Sequence, residues 1–162
     1  MYYESLNLGF RLTATGGSDV PWGDTIGISR VYAYTGQRFD PDAWFNAVKA
    51  GRTFVTSGPM LELTVNGEIP GAEITARLGD TLRIKATASG HRVPPQYLEV
   101  VEQGDVLKSL RQPAGGEEVS CEFELRVRHK HLDCGALCRR AHQPGLSASA
   151  SNRSGSGRPF PH

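Results

Sequence analysis

The sequence has no excess of charge of either sign. Eighteen Lys and Arg stand against 17 Asp and Glu, a formal net charge of +1, so no global field draws the chain to nucleic acid or to an anionic membrane surface. No apolar run reaches the roughly 20 residues that a membrane-spanning helix needs. The start, Met-Tyr-Tyr-Glu-Ser-Leu, lacks the basic flank and apolar stretch of a secretory signal. Three cysteines, Cys121, Cys134 and Cys138, make no disulfide framework in a chain of 162 residues and leave the compartment open. Hydrophobic content is only 38%, and the shortage is uneven. Residues 147–162 are rich in Ser, Gly, Pro and Arg, a composition that cannot bury a core.

The patterned sequence falls in two stretches, α/β first and all-β second. In the first, residues 1–59, Tyr2 to Leu8 reads as the last turns of a helix stopped by Gly9. Phe10 to Thr15 reads as a short buried strand. Gly16 and Gly17 let the backbone turn, which puts Ser18 and Asp19 at the strand's carboxyl end, where α/β folds place their chemistry. Asp19 suits two roles there: the cap of a turn, or a hard oxygen ligand for a divalent cation. Ile26 to Thr35 reads as a second strand with cover on both faces, so Arg30 in it needs an anionic partner, either a neighbouring carboxylate or a substrate anion. Asp40 to Ala50 has the marks of a helix: Asp40 as N-cap, Pro41 in the first turn, and Gly51 as terminator. Pro41, Trp44, Phe45 and Val48 form its apolar face, expected to pack on the sheet. Thr53 to Ser57 follows as a strand ended by Gly58-Pro59. Strand, helix, strand predicts a βαβ unit with parallel strands.

From Met60 the period changes to two. Leu61, Leu63 and Val65 alternate with polar residues, as do Leu82, Ile84 and Ala86, and Cys121, Phe123, Leu125 and Val127; Leu98 and Val100 alternate with Glu99 and Val101 before a turn leads into Val106 to Leu110. Asn66-Gly67 and Gln103-Gly104-Asp105 are turn signals. Short strands with one wet face predict an antiparallel β-sandwich over residues 60–127, with Cys121 as a small inward core residue.

Taken together, several blocks of the first stretch resemble the PHP (polymerase and histidinol phosphatase) superfamily, in its carbaryl-hydrolase-like branch. They are Tyr3 to Leu12, Gly17-Ser18-Asp19, Ser29-Arg30-Val31-Tyr32, and Lys49 to Pro59. The segment beginning Thr64-Val65-Asn66-Gly67 is similar to the sandwich that often follows the barrel in that branch. The resemblance implies the C-terminal part of a distorted (β/α)7 barrel that hydrolyses small-molecule substrates, often phosphoesters, with bound zinc, manganese or iron and with no nucleic-acid or membrane partner. It implies that Asp19 is a metal ligand. Many family members carry a His two residues later, where Pro21 stands, and the family's first His-x-His or His-x-Asp motif would lie before Met1. One carboxylate cannot hold a catalytic metal, which takes about three protein ligands, so the chain by itself is expected to be an inactive fragment.

After Val127 the alternation stops. Read one base later, permitted codons for His129 to Cys138 can encode Thr-Ser-Thr-Trp-Ile-Ala-Ala-Arg-Cys, a fitting last strand for such a sandwich. Residues 128–162 are therefore expected to be disordered or the product of a shifted reading frame. Two other readings remain open. The β stretch could act alone as a binding module for a carbohydrate or protein, with Tyr97 its one evident aromatic platform. His129, His131, Cys134, Cys138 and His142 could hold zinc.

Overall fold

The structure, a computed structural model, describes residues 2–23, 25–36 and 40–128, and the backbone of 134–139. It is mainly β, with antiparallel sheets and two short helices.

The helix α1 (Tyr2–Asn7) ends where Gly9 adopts φ 85°. The following segment, expected as a strand over Phe10 to Thr15, belongs to no sheet. A strand is defined by a partner ladder, and here side-chain hydroxyls tie the segment to its surroundings instead. Thr13 Oγ1 donates to the Val48 carbonyl at 3.1 Å, and Thr53 Oγ1 donates to the Ala14 carbonyl at 3.0 Å.

The second expected strand is reduced to β1 (Arg30–Ala33), which pairs antiparallel with β2 (Thr53–Thr56) in the register Arg30 to Thr56 and Ala33 to Thr53. The parallel βαβ expectation is thus corrected. The end of β1 lies beside the start of β2, and the Tyr34 N–H donates to the Arg52 carbonyl at 2.9 Å. The helix between them, α2 (Pro41–Lys49), is therefore carried in the loop of a hairpin and does not cross over a sheet. Its ends are as the sequence predicts. Asp40 accepts a hydrogen bond from the Ala43 N–H at 3.0 Å. Gly51, at φ 71°, closes the other end, with the Arg52 N–H bonded to the Ala47 carbonyl at 2.9 Å. Its packing differs from the expectation. Ala47 is the buried residue, Trp44 is half-buried, and Phe45 is 58% exposed, with its ring edge-on to Trp44. A two-stranded ribbon is too small a surface to cover a whole helix face.

The β stretch forms two three-stranded antiparallel sheets. One is β3 (Met60–Val65), β4 (Thr81–Ser89) and β7 (Glu118–Arg126), with β4 central. The other is β6 (Asp105–Arg111), β5 (Tyr97–Glu102) and β8 (Cys134–Arg139), with β5 central. Strand β8 falls where the sequence shows no alternation. Leu82, Ile84, Ala86 and Ala88 of β4, Val119 and Cys121 of β7, and Leu98 and Val100 of β5 share one buried cluster. In β4 and β7 these residues alternate with more exposed neighbours, as a sheet with one wet face requires, while in β5 the alternation breaks at Val100 and Val101, both buried, where the β5–β6 register shifts. Asn66 and Gly67 make the predicted tight turn with φ 53° and 87°, and Gln103 and Gly104 do so between β5 and β6. The residues that connect Val65 to β4 reach back to the helical part. Gly71 lies against the backbone of Ala50 to Arg52, and Arg11 pairs with Glu73. On the far side, the Asn7 amide donates to the Gln103 carbonyl at 3.0 Å.

Burial pushes the Cys121 thiol above its ordinary pKa, against the opposing pull of Lys108 and a backbone hydrogen bond with Ala86. The unfolded chain therefore releases this proton at lower pH than the folded one. The contribution to stability is full below the unfolded thiol pKa and is lost as pH rises through the folded value. Unfolding free energy measured by denaturant titration is expected to fall on going alkaline, with a shallower fall in Cys121→Ala. An identical slope in the variant would show that the thiol is not protected by the fold.

Candidate functional site

Asp19 sits in an exposed turn at the end of the unpaired Phe10 to Thr15 segment. Its φ of 52° is left-handed, a conformation that Asp and Asn tolerate better than most residues. The Gly23 N–H closes the turn on the Asp19 carbonyl at 2.5 Å. The two glycines before it have unequal roles. A Cβ at Gly16 would come within 2.6 Å of Val55 Cγ1, so only glycine brings the backbone this close to β2, whereas Gly17 faces open space.

Ser18 fixes where the turn lies. Its Oγ accepts from the Ser29 N–H at 3.1 Å and lies 3.5 Å from the Ser29 carbonyl. The link ties the Asp19 turn to the residue before β1, and Arg30 follows as the first residue of that strand. Arg30 is exposed, not sandwiched between two covers, and among the described residues it has no ion-pair partner. Its guanidinium carbon lies 6.0 Å from the centre of the Tyr32 ring, which is stacked on Phe54 with centroids 5.2 Å apart and planes 7° apart. An arginine held over an aromatic face keeps its donors available to an anion.

Among the described residues, no group of three or more His, Cys, Asp or Glu side chains is placed to hold a metal ion. Asp19 alone offers one carboxylate. The zinc reading based on His129, His131, Cys134, Cys138 and His142 lies outside the described side chains. Of the tail expected to be disordered or frameshifted, residues 134–139 instead form β8 on the edge of β5, while residues 129–133 and 140–162 lie outside the described residues. Tyr97 is half-buried with the Arg111 guanidinium 5.9 Å from its ring centre, so that face is not an open platform for a sugar.

The sequence reading missed a recess of about 370 Å³ at the other end of β1, lined by Tyr34, Thr35, Asn46, Ala47 and Arg52 among others. Its signal was available. Ala43 and Ala47 of α2 and Ala50 just after it recur at i, i+4 and i+7, and small side chains on one helix face leave space. Arg30, which begins β1, is not among the residues that line it, so the two do not form a common site.

No protein-family model matches this chain, and neither a curated protein nor a solved structure matches it.

Proposed function

We propose that residues 1–59 are the closing part of a PHP-type barrel, that residues 60–127 are the β-sandwich trailing it, and that the intact enzyme is a metal-dependent hydrolase of phosphoesters. In this reading the Phe10 to Thr15 segment is the last parallel strand of the barrel, and the β1–β2 ribbon stands outside the parallel set. Asp19 is one ligand of the divalent ions, which would lower the pKa of bound water and offset charge developing on the substrate. Arg30 receives the substrate anion.

The observation that carries the proposal is the uncovered apolar surface of the part that precedes Gly58. Fifteen large hydrophobic side chains are exposed among the described residues, and eleven of them precede Gly58. They include Leu8 at 77%, Trp22 at 87% and Ile26 at 81%. The β stretch, by contrast, buries its apolar alternation. A soluble monomer seldom leaves contiguous apolar surface beyond a few hundred Å² bare, and the missing strands of a barrel would cover it.

The test is an assay of aryl phosphate and phosphodiester hydrolysis with added zinc or manganese. The 162-residue chain is expected to be inactive, and a chain extended upstream through a His-x-His motif is expected to be active. Turnover by the 162-residue chain, or an inert extended chain that folds and binds metal, would overturn the proposal. A separate expectation concerns the bare surface. The chain should enhance the fluorescence of a hydrophobic dye at neutral pH, and the double substitution Trp22→Ser with Ile26→Ser should lower that signal. A folded chain that gives no enhancement would remove the argument from uncovered surface.

A further inference from the structure

We draw no further inference here: the strongest candidate, the exposed apolar side chains Phe10, Leu12, Trp22, Ile26 and Ile28 of the segment between α1 and β1, is an unpartnered surface whose one proposed cover has already been described, and nothing in the structure shows any other occupant.

Discussion

Asp19→Asn, placed in a chain extended upstream to include the remaining metal ligands, is expected to lower phosphoester turnover by roughly a thousandfold, because Lewis-acid stabilisation is worth several kcal/mol and each 1.4 kcal/mol is about a factor of ten. The substitution keeps the size of the side chain, and its amide oxygen can still accept hydrogen bonds. Asn also tolerates the left-handed backbone that Asp19 adopts at φ 52°. The turn should therefore survive, with Ser18 still bonded to Ser29. What is lost is the negative charge that competes with water for a divalent ion. Metal content by mass spectrometry and circular dichroism would accompany the rate measurement. Full activity with intact structure would reduce Asp19 to a turn residue. A companion variant, Arg30→Gln, is expected to raise KM for anionic substrates more than it lowers kcat, since an anion clamp contributes to ground-state binding.

Gly71→Ala is expected to be the most damaging single-methyl addition outside the core. Gly71 has φ 89°, where a side chain is strained, and its Cβ would overlap the Ala50 carbonyl oxygen and lie 2.9 Å from the Gly51 carbonyl carbon. Backbone cannot rotate away as a side-chain tip can. Strain and overpacking together should cost on the order of 3 kcal/mol, seen as a drop in melting temperature of roughly 10 °C for a domain of this size. Gly67→Ala separates the two causes. Gly67 has nearly the same φ, 87°, but nothing lies within 4 Å of its added methyl. It should show the strain alone, about 1 kcal/mol. Equal losses in the two variants would mean that the contact between the Gly71 loop and the end of α2 does not persist in solution.

The sequence and the structure agree where a residue's fate depends on its nearest neighbours. Asp40, Pro41 and Gly51 mark the ends of α2 because caps are local chemistry. Leu82, Ile84 and Ala86 could be placed inward because alternation on a pleated strand settles the face whatever the partner. They part where the outcome depends on a distant segment. Val31 and Phe54 look the same in a parallel crossover and in an antiparallel hairpin, and the ladder register of β1 on β2, with the Tyr34 to Arg52 bond beyond it, distinguishes the two. Phe10 to Thr15 has strand composition but no strand to pair with. At the candidate site, the Gly16-Gly17-Ser18 run announced an exposed Asp19. The tie between the Asp19 turn and the residue before β1 was hidden, because it hangs on one serine hydroxyl reaching a residue eleven positions away.

Because Tyr34 and Arg52 are bonded to each other, everything between them is a detachable insert in the topological sense. Closing a long loop costs more entropy than closing a two-residue one, but the cost grows only with the logarithm of length, so replacing residues 35–51 by Asn-Gly would recover about 2 kcal/mol of closure entropy. Against that stand the lost burial of Ala47, the lost Thr13 bond to the Val48 carbonyl and the lost contact of Gly71 with Ala50 and Gly51. The ribbon's register should survive such a deletion, and this point of the chain is where length variation among related sequences would be tolerated best.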